Sequence, residues 1–453
     1  MAGILSTLGL ANTNKGSLTK LTKKPEKWFR SRGYAHFDKP IGYERASKIV
    51  KNPSTVAKHA FFPLLSYEIV SQKVKKDVDS GKLSIVKKNR DIRFASHIDS
   101  HIYSYYSYIL SDFYEKKISE HNLEKSVIAF RKLEKSNINF ANDAFDCIKS
   151  YYNCCVIALD ITGFFDHIDH NLLKKSWSYT INSNHLPDDH FAIYKSITKY
   201  SYIDRLEIFD ILGLSKNNPP KSRDGLCSSS DFRKKIRPTG IIENNKKNYG
   251  IPQGSPISAI LSNIYMIDFD IKINNIVNSR AGKYFRYCDD ILVIIPGLEY
   301  NELLDLIESQ ISDMGLTSNQ KKQEISIFSH KANNSLSVIS GKPMQYLGFT
   351  FDGKNKIIRS AAFARYSMKM KSGVSLAKQT ARKHNKIRLI NGKQTSNIYK
   401  KSLYKKYSHL GRKNFISYAL KASKIMNSSA IRKQIKPLWS RLQHEIYLAE
   451  NTD

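Results

Sequence analysis

Tyr284-Phe285-Arg286-Tyr287-Cys288-Asp289-Asp290-Ile291-Leu292-Val293-Ile294-Ile295 is the stretch that decides the fold of this 453-residue chain. Its two adjacent aspartates interrupt runs that are rich in aromatic and β-branched residues. Such a pattern predicts two β-strands joined by a tight turn that carries both carboxylates. Because a buried carboxylate is costly unless it is paired or binds a metal, we expect a compensating cation at this turn.

A second acidic segment, Asp160-Ile161-Thr162-Gly163-Phe164-Phe165-Asp166, follows the apolar run Cys155–Leu159. We expect Asp160 to end a buried strand and Gly163 to open the turn after it. Two Mg²⁺ ions roughly 3.5–4 Å apart, bridged by carboxylates of this kind, form the catalytic device of polymerases and several nucleases. Taken alone, Asp160 or Asp166 could equally cap a helix. The segment Asp166–His170 is expected to begin a helix rather than to bind zinc.

A glycine- and proline-rich loop, Tyr249-Gly250-Ile251-Pro252-Gln253-Gly254-Ser255-Pro256-Ile257-Ser258, lies between the two acidic segments and runs into the apolar stretch 259–266. The pattern predicts a rigid loop at the N-terminus of a buried helix. Backbone N–H groups and the helix dipole at such a place suit the phosphates of a nucleotide or a template. Alone, the loop would be an ordinary turn before a core helix, and its position between the acidic segments favours the phosphate-binding interpretation.

The charge of the chain indicates a polyanionic partner. Lysines and arginines number 73 against 40 aspartates and glutamates, which gives a formal charge of +33. Residues 353–444 contain 24 lysines and arginines and no acidic residue, whereas a merely soluble surface normally mixes both signs. We therefore expect this segment to lie against a phosphate backbone.

Cysteine use and hydropathy indicate a cytoplasmic location. The five cysteines, at positions 147, 154, 155, 227 and 288, form no C-x-x-C pair, which favours a reducing compartment and argues against a zinc site. No apolar run approaches the ~18 residues that a membrane span needs. The N-terminus has no basic segment ahead of its short apolar patch, so we expect neither a signal peptide nor a membrane partner.

The pattern of the chain changes several times along its length. Residues 1–30 are expected to be a loosely held lead, and residues 40–150 mainly helical, with the tyrosine-rich stretch 102–110 as a packed helix face. Residues 151–350 alternate strand-like and helix-like runs around a polar loop at about 215–248. After Arg359 the pattern is helical and basic to the end, with breaks at Gly392 and Gly411.

The three motifs, in this order, resemble those of bacterial reverse transcriptases related to group II intron and retron enzymes, over residues 85–370 or so. The resemblance implies an α+β right-hand polymerase, with fingers, a palm built on an antiparallel sheet, and a helical thumb. The expected division is an N-terminal extension (1–40), mainly helical fingers (41–155), a palm with interspersed fingers segments (156–350) and a basic helical thumb (351–453).

The resemblance also implies a metal centre. Two Mg²⁺ ions, with Mn²⁺ as an alternative, would be held by Asp160, Ile161, Asp289 and Asp290, and the three aspartates would be catalytic. The segment 315–322 resembles the motif Gly-Leu-x-x-Asn-x-x-Lys of these enzymes. Lys322 is therefore expected to be the acid for the leaving pyrophosphate, with its neighbour Lys321 as the alternative.

A further set of residues is implied in binding the nucleotide. Phe165 would clash with a ribose 2′-OH and so favour dNTPs, and Gln253 and Gly254 would pack near the incoming nucleotide and the template. Arg93 and Arg131 lie in segments that resemble the fingers motifs, where basic side chains neutralise the triphosphate. Either arginine could instead be an ordinary surface or ion-pair residue.

The region after the palm motifs indicates the type of enzyme. Tyr346-Leu347-Gly348 resembles the primer-grip hairpin and departs from the Val-Thr-Gly that retron enzymes usually carry. Neither a zinc-type endonuclease nor an RNase H pattern follows. The extension Phe351-Asp352-Gly353-Lys354 resembles the stand-alone unknown-group enzymes, many of them defence-associated reverse transcriptases, and class 2 is the first expectation.

The resemblance implies an RNA-directed DNA polymerase that copies an associated, structured non-coding RNA with dNTPs into a DNA product in antiphage defence. Homo-oligomerisation is open. Three alternatives also stay open: a retron enzyme that makes an RNA–DNA hybrid, a template-independent polymerase primed by a tyrosine hydroxyl, and an RNA-binding scaffold with a vestigial site. The presence of Asp160, Asp289 and Asp290 disfavours the scaffold, which has no need of three unpaired acids.

Overall fold

A computed structural model describes residues 25–76, 83–220, 224–331 and 335–451 of the chain. These residues form an α+β structure in which helices and strands alternate through the middle of the chain and helices alone end it. Of the loosely held N-terminal segment expected at residues 1–30, residues 1–24 lie outside the described residues. The helices are α1 (Tyr43–Val50), α2 (Pro53–Ala57), α3 (His97–Glu120), α4 (Asn137–Ser150), α5 (His170–Thr180), α6 (Asp188–Thr198), α7 (Arg205–Ile211), α8 (Ser229–Asp231), α9 (Ser258–Tyr265), α10 (Ile267–Ser279), α11 (Asn301–Asp313), α12 (Ser360–Ile390), α13 (Lys400–Tyr407), α14 (Phe415–Ile425), α15 (Ser429–Ile435) and α16 (Leu438–Asn451).

The described strands build three separate sheets. An N-terminal sheet has the order β2-β1-β4-β5, a central sheet the order β6-β7-β3-β8-β9, and a small sheet the order β10-β11-β12. The strands are β1 (Leu64–Lys76), β2 (Leu83–Phe94), β3 (Asn153–Asp160), β4 (Ser201–Asp204), β5 (Glu243–Asn244), β6 (Lys283–Tyr287), β7 (Asp290–Pro296), β8 (Glu324–His330), β9 (Leu336–Gly341), β10 (Met344–Tyr346), β11 (Phe349–Phe351) and β12 (Lys356–Ile358).

The central sheet positions the acidic segments. Every neighbouring pair of its strands is antiparallel, and β3 lies in the middle. The run Cys154–Ile157 in β3 is fully buried, as expected of a strand that is covered on both faces. Ile157 and Val293 contribute to a core that includes residues of α9 and α10. Val156 and Leu292 contribute to a second core on the other face, which includes residues of α4 and α12.

A long ribbon of two antiparallel strands occupies part of the region that the sequence predicts to be mainly helical. β1 and β2 pair from Leu65 with Phe94 to Lys76 with Leu83. β1 also pairs in parallel with β4, but only over residues 64–66. The rest of the ribbon forms no hydrogen-bonded ladder with another described strand. The structure thus departs from the helical expectation at 64–94, although α1 to α4 lie in the same region. β4, the strand that pairs with the base of the ribbon, comes more than 100 residues after the ribbon begins, so the local sequence does not predict this pairing.

The described residues that precede α1 pack against α3. Trp28 is buried, and its ring centroid lies 5.6 Å from that of Tyr105. Asp38 accepts hydrogen bonds from the backbone N–H groups of His97 and Ile98, both at 2.8 Å. Trp28 and Asp38 therefore tie the segment 25–40 to the N-terminal core.

The C-terminal part of the chain is helical, in agreement with the sequence. α12 ends two residues before Gly392 and α13 ends four residues before Gly411, the two predicted breaks. α12 has 31 residues, so it is about 46 Å long. No helix in the described part of the chain combines the length and the apolarity that crossing a bilayer requires.

Candidate active site

The central sheet brings the two acidic segments together. Asp160, the last residue of β3, lies directly opposite Asp290, the first residue of β7. The backbone N–H of Ile161 donates to the carbonyl of Asp289 at 3.2 Å. Three carboxylates that the sequence separates by 129 positions therefore meet at one end of the sheet. This is the arrangement that the two apolar strand patterns predict.

The turn that carries Asp289 is held by a buried arginine. Tyr287 pairs with Asp290, so Cys288 and Asp289 form a two-residue turn, and Cys288 adopts a left-handed φ of 61° that favours glycine. Arg286 has no solvent exposure, and its Nη1 donates to the carbonyl of Cys288 at 3.2 Å. Its Nε and Nη2 donate to the two carboxylate oxygens of Asp270 on α10, at 2.6 and 2.5 Å. A buried ion pair thus fixes the strained turn from behind.

The three carboxylates create an excess of negative charge. Burial, together with the charges of Asp289 and Asp160, raises the pKa of Asp290 to about 7, although the positive charges of Lys322 and Arg359 oppose the shift. Among the described residues, no group of three or more His, Cys, Asp or Glu side chains is arranged to hold a metal ion. The donors still suit a hard divalent cation, because all are carboxylates and their mutual repulsion is relieved by positive charge. The ammonium group of Lys322, which donates to the Oδ2 of Asp160, supplies such a charge.

The segment after α11 docks onto the end of β3. The backbone N–H of Thr162 donates to the carbonyl of Thr317 at 2.9 Å, and that of Asn319 donates to the carbonyl of Asp160 at 2.7 Å. A short 3₁₀ helix over Gln320–Lys322 follows. These contacts direct the side chain of Lys322 to the carboxylates, and Lys322 rather than Lys321 lines the adjoining cavity.

A cavity of about 1350 Å³ opens in front of the carboxylates. Its lining combines Asp160, Asp289 and Lys322 with residues of the N-terminal sheet and of the glycine-rich loop. Arg93 on β2 is one of them, and its guanidinium lies 4.4 Å from the ring centroid of Tyr202. The cavity thus has an acidic end and a cationic, aromatic wall.

The glycine-rich loop joins the two walls of the cavity. The backbone N–H of Arg93 donates to the carbonyl of Gln253 at 2.7 Å, and that of Ile251 to the carbonyl of Phe165 at 2.9 Å. Gln253 and Phe165 both line the cavity. Gly254 has a φ of 108°, and a Cβ there would lie 2.8 Å from the carbonyl oxygen of Arg93. Only glycine allows this close approach, so Gly254 positions the loop from outside the cavity lining.

A second hairpin lies close to Asp290. Tyr346 pairs with Phe349, and the two residues between them, Leu347 and Gly348, both have positive φ, of 46° and 95°. This is the backbone of a tight two-residue hairpin turn. Tyr346 is buried, and burial together with the charge of Asp290 raises the pKa of its hydroxyl. The predicted primer-grip residues therefore form a hairpin beside the carboxylates.

A family model described as reverse transcriptase (RNA-dependent DNA polymerase) matches residues 85–351, more than half of the chain. The chain belongs to the reverse transcriptase family. The α+β right-hand polymerase fold expected from the sequence motifs is confirmed.

Two further comparisons concern curated proteins and solved structures. A search of curated proteins gives no match to this reverse transcriptase. Among solved structures it is similar to apo telomerase from Candida tropicalis truncated from its C-terminal domain, at 11% identity over 70% of this chain and 61% of that chain, with a TM-score of 0.35. It is also similar to telomerase from Candida albicans in complex with a TWJ fragment of telomeric RNA, at 12% identity over 88% of this chain and 58% of that chain, with a TM-score of 0.36. The reverse transcriptase spans about three fifths of the length of these two structures.

Arg131 does not reach the cavity of the reverse transcriptase. Its Nε and Nη2 donate to the carboxylate oxygens of Glu115 on α3, at 2.9 and 2.7 Å. Its Nη1 donates to the carbonyls of Glu124 and Val127, at 2.8 and 2.6 Å. The side chain is 3% exposed, so its donors are committed to structural contacts. These contacts favour the alternative, an ion-pair arginine, and triphosphate binding by Arg131 stays a prediction.

Several residues around the site were not found by sequence reasoning. Tyr200 and Tyr202 line the cavity and contact Arg93, but they lie just before and within the short strand β4, which has no motif of its own. Asp270 on α10 and Asn263 on α9 both accept hydrogen bonds from Arg286, and in the sequence they resemble ordinary polar residues of helices. The only local signal is at Asn263, which follows the apolar run 259–261.

Proposed function

We propose that the chain is an RNA-directed DNA polymerase that adds dNTPs to a primer with the help of two divalent cations, Mg²⁺ or alternatively Mn²⁺. The observation that carries the proposal is the pairing of Asp160 with Asp290 across β3 and β7, with Asp289 in the adjoining turn. The resulting cluster of negative charge faces a cavity that is large enough for a nucleotide and the end of a primer–template duplex.

The carboxylates of Asp160, Asp289 and Asp290, together with Ile161, would hold the cations. When bound, such cations make the primer hydroxyl more acidic and neutralise charge on the departing pyrophosphate. The Nζ of Lys322 donates to the Oδ2 of Asp160 at the edge of the same cluster, and this position suits a general acid for the leaving group. Tyr346, Leu347 and Gly348 would support the primer end.

The wall opposite the carboxylates would bind the nucleotide. Arg93 is held against two tyrosine rings and faces the cavity, where its charge would neutralise the triphosphate. Phe165 lies in a 3₁₀ helix over Phe164–Asp166, three residues beyond the end of β3, where its ring would exclude a ribose 2′-OH. Gln253 would contact the nucleotide, with Gly254 behind it.

The domains and the biological setting are further parts of the proposal. The central sheet would be the palm, the N-terminal sheet and helices the fingers, and α12 to α16 the thumb, whose lysines and arginines would follow a template–product duplex through its phosphates. We assign the enzyme to the stand-alone, defence-associated reverse transcriptases of bacteria, class 2 being the first choice. Its partners would be a structured non-coding RNA template and its DNA product in the cytoplasm. This assignment depends on the sequence around Tyr346-Leu347-Gly348 and Phe351-Asp352-Gly353-Lys354.

The experiment that tests the polymerase compares three purified proteins. Asp289→Ala/Asp290→Ala is expected to retain co-purifying RNA and to make no cDNA from a primed RNA template with Mg²⁺ and dNTPs. Asp112→Ala, which removes an exposed carboxylate from α3, is the matched control and is expected to behave as the unaltered chain. Undiminished synthesis by the double variant would overturn the assignment of the site. Sequencing of the RNA and cDNA, with plaque counts after phage infection, tests the template and the defence role.

A second experiment concerns sugar discrimination. Phe165→Ala removes the ring that would meet a 2′-OH, so rNTP incorporation should rise relative to dNTP incorporation. Phe191→Ala, a substitution of an exposed phenylalanine outside the active-site cavity, serves as the control. An unchanged ratio in Phe165→Ala would show that another residue discriminates.

A further inference from the structure

A second cavity, of about 650 Å³, lies in the C-terminal helical region between α12, α13 and the loop 408–414. Half of its lining residues are basic, and no acidic residue lines it. The basic residues are Arg365, Lys369, Lys405, Lys406, Arg412 and Lys413. We call this feature the thumb pocket.

Among the residues that the structure describes, the positive charges of the thumb pocket have no paired carboxylate. Nearby lysines on the same helices do find carboxylates: Lys371 pairs with Glu445 at 2.9 Å and Lys400 with Glu450 at 2.8 Å. Within the described ranges, none of the six basic residues of the pocket makes an ion pair. Cations gathered in one concavity repel one another, and an anionic ligand with several charges relieves that repulsion.

The walls of the thumb pocket are fixed in place. The Tyr366 hydroxyl donates to the carbonyl of Tyr407 at 2.6 Å, which ties α12 to the end of α13. The Asn414 side chain donates to the carbonyls of Lys405 and Ser408, at 3.1 and 2.8 Å. The loop also approaches α13 closely, because a Cβ on Gly411 would lie 1.8 Å from the carbonyl oxygen of Lys405. The helices and the loop that form the pocket are therefore held in a fixed arrangement, and they present six solvent-exposed basic side chains to it.

The shape and the lining of the pocket select among polyanions. A nucleic-acid backbone carries a single charge at each phosphate and lies along extended surfaces, so one or two backbone phosphates would leave most of the cations in a concave pocket uncompensated. A 5′-triphosphate gathers several negative charges within one pocket-sized group. Tyr407 and Phe415 also line the pocket, and aromatic rings of this kind stack on a nucleobase.

We propose that the thumb pocket binds the 5′-triphosphate of a nucleotide, either at the 5′ end of an RNA or in a free nucleoside triphosphate. The bound triphosphate lies between two pairs of cations. One pair is on α12 (Arg365 and Lys369) and the other is on α13 (Lys405 and Lys406). The base of the same nucleotide lies against the rings of Tyr407 and Phe415. The site is separate from the carboxylates of the central sheet, and its occupancy does not depend on polymerisation.

The test uses the full chain in its catalytically inactive form, Asp289→Ala/Asp290→Ala, so that failure of the proposed polymerase cannot be confused with failure of the pocket. Binding of one short RNA hairpin, carrying either a 5′-triphosphate or a 5′-hydroxyl, is measured by fluorescence anisotropy at 150 mM KCl with EDTA. A fluorescent ATP is measured in parallel. Arg365→Gln/Lys405→Gln alters opposite walls of the pocket, and Lys421→Gln/Lys424→Gln removes the same charge from α14, outside the pocket.

The triphosphate hairpin is expected to bind on the order of tenfold more tightly than the hydroxyl hairpin, since charge-assisted bonds to a terminal phosphate group are added. The ratio should fall to about one in Arg365→Gln/Lys405→Gln and persist in Lys421→Gln/Lys424→Gln, although both variants lose general affinity for RNA. ATP binding that disappears only in the pocket variant would identify the free nucleotide as a ligand. If the first pocket variant is unfolded by circular dichroism, Lys369→Gln/Arg412→Gln replaces it. Equal binding of both hairpins together with no ATP binding, or a ratio that survives both pocket variants, overturns the proposal.

Discussion

Replacing Asp270 by asparagine would leave the guanidinium of Arg286 buried without a counter-charge. Both side chains have no solvent exposure, and they share two hydrogen bonds of 2.5 and 2.6 Å. Removal of one partner of such a pair costs about 3–5 kcal/mol, because the remaining charge is desolvated and unpaired. This is a large part of the ~5–15 kcal/mol by which a typical domain is stable. Arg286 also donates to the carbonyl of Cys288, so the turn that carries Asp289 should loosen and polymerisation should slow.

Urea unfolding followed by tryptophan fluorescence measures the free energy of unfolding of Asp270→Asn against the unaltered chain. The matched control is Asp143→Asn, which breaks an exposed pair of 2.8 Å with Lys135 and should cost less than ~1 kcal/mol. If the two variants lose similar stability, the buried pair is not the support of the turn that its geometry indicates. A variant that keeps full stability but loses synthesis would separate the two roles of Arg286.

Three further outcomes are expected. Gly254→Ala places a Cβ 2.8 Å from the carbonyl oxygen of Arg93, so it should destabilise the protein by on the order of 1–3 kcal/mol. It should also raise the KM for dNTPs, and an unchanged KM and melting temperature would contradict this. Gly348→Ala meets no atom within 4 Å but has a φ of 95°, so it should cost about 1–2 kcal/mol through the backbone alone, which thermal unfolding measures. Burial lowers the pKa of His36 to about 3 and that of His101 to about 4, so both are neutral in the folded protein at pH 5 and largely protonated when it unfolds. Stability should therefore be retained above pH ~6.5 and fall below it, by up to about 1.4 kcal/mol per pH unit for each histidine; a flat urea midpoint between pH 7 and 5 would refute this.

The parts of the site that the sequence predicts are those in which local pattern and chemistry agree. Apolar runs around Asp160 and around Asp289 and Asp290 define two strands, and aligned antiparallel strands place the acids at one end. The glycine-rich loop predicts a buried helix, which α9 confirms, eight residues long and apolar on most sides. In each of these cases the information lies within about ten consecutive residues.

The parts that the sequence does not predict depend on distant partners. Arg93 and Arg131 occur in similar basic segments, yet one faces the cavity and the other is bound to Glu115 of α3. No feature of the local sequence around Arg131 reveals that partner. The β1–β2 ribbon is similar, because Tyr202, which pairs with Leu64, follows the ribbon in the sequence only after four helices, α3 to α6.

The central position of β3 has a consequence for how the protein is made. Its neighbours β7 and β8 both lie far downstream, and Asp290 is synthesised 130 residues after Asp160. At a translation rate of 5–20 residues per second, the ribosome needs roughly ten seconds to cover that interval. Throughout this time the nascent β3 has neither of its final neighbours, and its apolar edges are open to incorrect association. We therefore expect chaperones to protect this strand during translation, and a chain cut short before β7 would carry only one of the two acidic segments of the catalytic centre.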